Sequence, residues 1–115
     1  MIIKKFEDIV AWQKAQSLAI EIYSVFKNLK DYSFKDQICR SAISISSNIA
    51  EGFDRSSDAD FGRFLYIALA SCSELKSMTY LAKNLSYISI EQSKFLLSNA
   101  DEVSKIIRGL IKSLK

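Results

Sequence analysis

The chain has 115 residues, of which 49% are hydrophobic and 25% are charged, and its formal net charge is +3. This balance predicts one folded domain spanning residues 1–115 and excludes a largely disordered chain. The sequence has no proline and only three glycines. Little would interrupt a helix once it had begun, so an all-α fold is favoured over a strand-rich one.

The N-terminal segment lacks the apolar stretch of a signal peptide. No part of the sequence reaches the run of roughly 18 apolar residues that a membrane span needs. We therefore expect a cytoplasmic protein. In that compartment Cys39 and Cys72 are expected to be reduced residues of the core rather than a disulfide.

Four helices are predicted in chain order. The first covers 9–29, with Asp8 as its N-cap. The other three follow Ser-x-x-Asp or Ser-x-x-Gln patterns, which are typical of capping boxes. These patterns start at Ser33, Ser57 and Ser89 and predict helices over 34–51, 58–86 and 90–113. Because the connections are short, with Gly52 placed to end the second helix, the prediction is an antiparallel up-down-up-down four-helix bundle.

Apolar residues recur every three or four positions along the helices, as a buried seam requires. The predicted seams are Phe34, Ile38, Ala42, Ile45 and Ile49 in the second helix and Phe61, Leu65, Ala68, Cys72, Leu75, Thr79 and Ala82 in the third. The first and third helices carry apolar arcs wider than the stripe of about 100° that a surface helix buries. We expect this surplus to mediate self-association, and the alternative is a wider core that absorbs it.

The residue types that carry most enzyme chemistry are missing or scattered. There is no histidine, which removes the usual acid-base group near neutral pH and the commonest metal ligand. Two cysteines on different helices do not complete a zinc site, and Gly52, Gly62 and Gly109 do not form a phosphate-binding loop. The serines around Ser44 and Ser71 are interpreted as small residues that let helices approach, rather than as nucleophiles. We expect neither catalysis nor a cofactor or metal.

Four charged residues of the second and third helices are predicted to form two pairs. Folding these helices back about residue 57 places Glu51 opposite Arg63 and Arg40 opposite Glu74. We interpret both as structural charge pairs that fix the register of the hairpin. The alternative is that they belong to a binding site.

The last helix carries Lys105, Arg108, Lys112 and Lys115, which share one face and are called the basic stripe below. No acidic residue follows Glu102. The helix dipole favours cations in a last turn, which explains Lys112 and Lys115 but not the two earlier cations. Repeated around an oligomer, the basic stripe would suit the phosphate backbone of a nucleic acid.

Four short segments carry a family resemblance. They are FEDIVAWQKA (6–15), QICRSA (37–42), SNIAEG (47–52) and DFGRFL (60–65). Together with Arg55 and Ser71-x-x-Glu74-Leu75, they resemble the four-helix bundle family of proteins encoded in 23S ribosomal RNA intervening sequences. The resemblance covers essentially the whole chain.

The resemblance implies a bundle that assembles as a barrel-like homopentamer, similar to the accessory variability proteins of diversity-generating retroelements. Those proteins bind nucleic acid and work beside a reverse transcriptase. Arg40 and Arg55 are therefore added to the basic stripe as candidate nucleic-acid contacts. The family commonly has paired arginines where Cys39-Arg40 stands, so this chain has less positive charge on its second helix.

Two functions remain open at this stage. The first is a non-enzymatic oligomer that binds RNA or DNA backbones, as an accessory to a ribosomal RNA intervening sequence or to a retroelement reverse transcriptase. The second is an oligomer with a purely structural or protein-binding role, whose charges serve solubility.

Overall fold

The computed structural model describes residues 3–114, and this part of the chain contains four α-helices and no β-strand. A short 3-10 turn over Phe6–Asp8 precedes the first helix. The helices are α1 (Val10–Val25), α2 (Tyr32–Phe53), α3 (Asp58–Asn84) and α4 (Ile90–Ser113). The predicted all-α class and the order of the four helices are confirmed. None of the described helices is both long and apolar enough to cross a membrane.

The helices form a ring in chain order. Each helix packs against the next one, and α1 packs against α4, whereas the diagonal pairs do not approach closely. Because the connections are short, neighbouring helices run antiparallel, which gives the predicted up-down-up-down bundle. The molecule measures 43 by 22 by 19 Å.

The predicted seams form the core. Every seam residue of α2 and α3 is buried, and α4 contributes Leu96, Ala100, Val103 and Ile107. Cys39 is also buried, and both cysteines are free thiols, as the sequence predicts. Burial raises the pKa of both thiols because a thiolate would lose its hydration there. Both cysteines are therefore neutral thiols of the core, and the Cys72 thiol also donates to the Ala100 carbonyl and accepts from the Ser104 hydroxyl.

Two of the predicted helix caps are confirmed. The hydroxyl of Ser57 accepts a hydrogen bond from the Asp60 backbone N–H at 3.1 Å. Ser89 and Gln92 form a complete capping box, in which each side chain accepts from the other residue's backbone N–H. These caps fix the N-termini of α3 and α4 where the sequence places them.

The starts of α1 and α2 differ from the prediction. Asp8 belongs to the 3-10 turn, so α1 begins without a side-chain cap. The cap of α2 is Asp31 rather than Ser33, because the Asp31 carboxylate accepts from the Phe34 N–H at 3.1 Å. An aspartate two positions earlier thus extends the start of α2 by two residues, Tyr32 and Ser33.

Gly52 does not end α2, contrary to the prediction. It lies inside the helix, which continues to Phe53, and its backbone is not left-handed. A Cβ placed on Gly52 would overlap the Cβ of Phe64 and lie 3.2 Å from Cδ1 of Phe61. The missing side chain therefore lets α2 approach α3 closely. The left-handed residue found in the described range is Ser86, with φ of 60°, just beyond α3.

The wide apolar arcs of α1 and α3 are only partly covered. Tyr23 on α1, Ile67 on α3 and Leu85 just beyond α3 remain exposed, and Ile20 retains 68% of its accessible surface. The core therefore does not absorb the whole apolar surplus of these two helices.

Candidate nucleic-acid interface

The described part of the basic stripe lies on the outer face of α4. Lys105, Arg108 and Lys112 are all exposed, because the opposite face of α4 carries the buried core residues. Within residues 3–114, no carboxylate lies within 4.0 Å of any of the three. Lys115 lies outside the described residues.

The acidic residues of α4 have partners on other helices. Asp101 pairs with Lys76 of α3 at 2.5 Å, and Glu102 lies 3.6 Å from Lys14 of α1. The hydrogen bond from Lys76 to Asp101 raises the pKa of the lysine. These pairs tie α4 to both neighbours one turn before the basic stripe, and they direct both carboxylates to other lysines although Lys105 lines a hollow with them.

A shallow groove, called the α3–α4 groove below, runs beside the basic stripe between the N-terminal half of α3 and the C-terminal half of α4. Tyr66 lies in the middle of it, between two hollows, and is 53% exposed. One hollow is lined by Asp58, Ala59, Gly62, Arg63, Tyr66, Ile111 and Leu114. The other is lined by Tyr66, Leu69, Arg108, Ile111 and Lys112. The groove thus joins an exposed aromatic ring to two cations of the basic stripe.

Arg55 and Arg63 stack on the same aromatic ring. Their guanidinium carbons lie 4.8 and 5.0 Å from the centroid of Phe64. Arg55 also pairs with Glu51 at 3.3 Å and Arg63 with Asp60 at 3.2 Å. Stacking and pairing both hold the two planar guanidiniums in place. Arg55, a sequence-predicted contact, is therefore partly neutralised and less available than the basic stripe.

The predicted structural charge pairs do not form. Arg63 pairs with Asp60 on α3, and Glu51 pairs with Arg55, which lies just beyond the end of α2. Such local pairs are already within reach once the helix forms and need little further ordering. The prediction that Glu51 pairs with Arg63 is therefore wrong.

Glu74 likewise has a different partner from the predicted Arg40. Its carboxylate accepts a hydrogen bond from the Gln37 side chain at 2.7 Å. Arg40 is exposed and forms no ion pair with another described residue. It lies on α2, while the basic stripe lies on α4, and these two helices do not pack together. The structure therefore does not bring Arg40 together with the other candidate contacts.

Serines and an asparagine occupy the contact between α2 and α3. The hydroxyls of Ser44 and Ser71 are 2.8 Å apart, and the Asn48 amide donates to the Ser44 hydroxyl at 2.9 Å. The register predicted by folding about residue 57 places Ser44 opposite Ala70. The observed partner, Ser71, lies one position farther along α3. These small polar side chains join the two helices, as the sequence interpretation proposed.

Two residues of the α3–α4 groove were missed by sequence reasoning. Tyr66 and Gly62 are four positions apart and therefore lie on the same side of α3. A Cβ placed on Gly62 would meet no other part of the described chain within 4 Å, so packing among residues 3–114 does not require glycine there. The signal in the sequence that could have found them is a glycine inside a predicted helix, one turn before a tyrosine, because glycine is a poor helix former.

Comparisons with known proteins agree with this architecture. Residues 7–109 match the family model of the 23S rRNA-intervening sequence protein. A crystal structure of a protein of unknown function from the S23 ribosomal protein family of Bacteroides thetaiotaomicron is similar, with 31% sequence identity and a TM-score of 0.84. The match covers 90% of this chain and 99% of that one. No curated protein matches. The chain belongs to the 23S rRNA-intervening sequence protein family.

Proposed function

We propose that this protein is a non-enzymatic, self-associating helical bundle that binds the phosphate backbone of RNA or DNA through the basic stripe. In this role it serves as an accessory to a ribosomal RNA intervening sequence or to a retroelement reverse transcriptase. The family description names an intervening sequence of 23S rRNA, which supports the first setting.

The observation that carries the proposal is the state of the basic stripe. Lys105, Arg108 and Lys112 are exposed and have no carboxylate partner among the described residues. An unpaired cation keeps its full charge for an outside partner, and phosphate contacts of this kind supply most non-specific affinity for nucleic acids. Three such cations on one face form a compact polyanion-binding surface.

Self-association is supported by exposed apolar side chains on two different surfaces. Ile20 and Tyr23 of α1 lie beside Ile43 of α2 around a hollow, and Ile67 and Leu81 are exposed on α3. Contact between two unlike surfaces is head-to-tail and closes into a ring when the rotation permits. The homopentamer implied by the family resemblance is such a ring, and it would repeat the basic stripe.

A second candidate function is an oligomer that binds only protein. The same exposed apolar side chains favour it, because aromatic and aliphatic patches of this kind mark protein interfaces. In that case the basic stripe would serve solubility, and nucleic acid would not bind at low salt.

Two measurements test the proposal. Light scattering coupled to size exclusion should give several times the chain mass of 13.0 kDa, and Ile20→Lys should lower it. Phe95→Lys, at a similarly exposed apolar residue outside both patches, is the matched control and should leave the mass unchanged. Labelled RNA should bind at low salt with an affinity that falls steeply as salt increases. Absence of RNA binding at low salt would favour the second candidate, and a monomer at micromolar concentration would contradict self-association.

A further inference from the structure

We infer that the α3–α4 groove is a binding site for single-stranded nucleic acid, in which one unpaired base stacks on Tyr66. This inference rests on the proposed function, because it names the class of nucleic acid and the residues that select it. The basic stripe alone would not distinguish a single strand from a duplex, since both present phosphates.

The exposed ring of Tyr66 is the first observation. More than half of its surface is accessible, although it lies in a groove whose floor is formed by the apolar residues Leu69 and Ile111. A flat aromatic ring on an apolar floor is a suitable platform for a nucleobase, because every base has a π-face. A duplex keeps its base faces inside its own stack, so only an unpaired base can use this ring.

The second observation is Gly62. It lies one helical turn before Tyr66, and side chains on a helix lean toward its N-terminus, so Gly62 leaves open the space beside the ring. Glycine inside a helix costs stability relative to alanine. No described atom lies within 4 Å of a Cβ at this position, so packing within the chain does not account for that cost. An occupant stacked on Tyr66 does account for it.

The third observation is the distribution of charge around the ring. Arg108 and Lys112 line the hollow on the α4 side of Tyr66, and that hollow contains no acidic residue. They are one helical turn apart, about 6 Å along the axis, a spacing that suits neighbouring phosphates of one strand. The other hollow contains Asp58 as well as Arg63, and the carboxylate disfavours a phosphate there. The backbone is therefore placed along α4, and the base points toward α3.

The test compares a labelled, unstructured single strand of about 15 nucleotides with a duplex of the same length, using fluorescence anisotropy on the whole chain. Tyr66→Ala should weaken binding of the single strand about tenfold, as the loss of one stacked base does, and should change duplex binding little. Tyr66→Phe keeps the ring and should bind the single strand as the wild type does.

Gly62→Ala is expected to change stability and single-strand binding in opposite directions. Alanine should raise the thermal stability of the helix, because it is the better helix former, while its methyl group narrows the space beside Tyr66 and weakens single-strand binding. Gly109→Ala is the matched control, since a Cβ there also meets no other described part of the chain within 4 Å and Gly109 is not among the residues that line the groove. It should raise stability and leave binding unchanged.

The outcomes distinguish this inference from the proposed function. If wild-type protein binds single strand and duplex equally and Tyr66→Ala changes neither, the inference is overturned and the proposed function stands. If wild-type protein binds no nucleic acid at low salt, both are overturned. If Tyr66→Ala lowers the oligomeric mass in light scattering, the groove is an interface between copies and the inference is likewise overturned.

Discussion

Aromatic rings pack at both ends of the bundle, but the two ends differ in the charged side chains around those rings. At the first end, where α1 leads to α2 and α3 to α4, Phe34 contacts both Phe26 and Tyr87, with ring centroids 6.0 and 5.4 Å apart. We call this the aromatic end. At the opposite end, Arg55 and Arg63 stack on Phe64, and the basic stripe lies close by on α4. We call this the charged end.

The two ends differ in what their side chains do. Those of the aromatic end hold the bundle together, whereas the cations of the charged end are available to a partner. At the aromatic end, the exposed Asp31 caps α2 and also accepts a hydrogen bond of 2.6 Å from the Tyr87 hydroxyl, so it links the two loops. At the charged end, three cations have no acidic partner in the described range. Substitutions at the aromatic end should therefore change stability alone, whereas those of the basic stripe should change binding alone.

The largest effect on stability is expected for Phe34→Ala at the aromatic end. The ring is buried, and its removal deletes apolar contacts and leaves a cavity, so the free energy of unfolding should fall by about 3 to 5 kcal/mol. Urea denaturation followed by circular dichroism measures this loss. Phe34→Leu fills most of the cavity and should recover much of the loss. A loss below about 1 kcal/mol would mean that the aromatic cluster contributes little.

Gly52→Ala should have the next largest effect, and it acts at the charged end. The added methyl group would collide with the Cβ of Phe64, which is fixed to the α3 backbone and cannot move away by rotation of the side chain. Overpacking of this kind costs about 1 to 3 kcal/mol. Gly109→Ala, at an open helical position, should instead raise stability by about 0.5 to 1 kcal/mol. Equal effects of the two substitutions in urea denaturation would contradict the close approach of α2 and α3.

A smaller, pH-dependent effect is expected from Tyr87→Phe, which removes the hydrogen bond to Asp31 but keeps the ring. That bond lowers the pKa of Asp31 from 3.8 and raises the pKa of Tyr87 from 10.0. A lowered carboxyl pKa stabilises the fold above the unfolded pKa, and this contribution is lost as the pH falls through the folded pKa. A raised phenol pKa stabilises the fold below its unfolded pKa and is lost as the pH rises through the folded value.

The stability difference between wild type and Tyr87→Phe should therefore be constant from about pH 5 to 9. It should shrink below the carboxyl pKa and above the phenol pKa. Thermal unfolding at a series of pH values measures it. A difference that stays the same from well below pH 3.8 to well above pH 10.0 would show that the bond between Asp31 and Tyr87 does not stabilise the fold.

Sequence reasoning predicted the features of the fold that depend on local periodicity. The seams of α2 and α3 and the caps at Ser57 and Ser89 are set by residues three or four apart, and all of them are confirmed. The role of Gly52 was mistaken because glycine suits a helix end as well as a close helix contact. Only the position of Phe64 on the next helix distinguishes these roles.

The candidate site shows the same division between local and long-range information. The basic stripe lies on one helix, so its spacing was sufficient to predict a common face. The place of Tyr66 beside Arg108 depends on how α3 is rotated against α4, and no local pattern determines that rotation. The predicted pair of Glu51 with Arg63 failed because the assumed register took no account of nearer partners, and Glu74 contacts Gln37 of α2 instead of Arg40.

The most direct test of the account compares charge removal at the two ends in one RNA-binding assay. One variant carries Lys105→Gln, Arg108→Gln and Lys112→Gln at the charged end. The control carries Lys27→Gln, Lys30→Gln and Lys94→Gln, which remove three exposed cations at or near the aromatic end and give the same net charge. We predict that only the first variant weakens binding to unrelated single strands, and that it reduces the slope of log affinity against log salt by about 2. Equal losses in both variants would contradict a binding surface confined to the charged end.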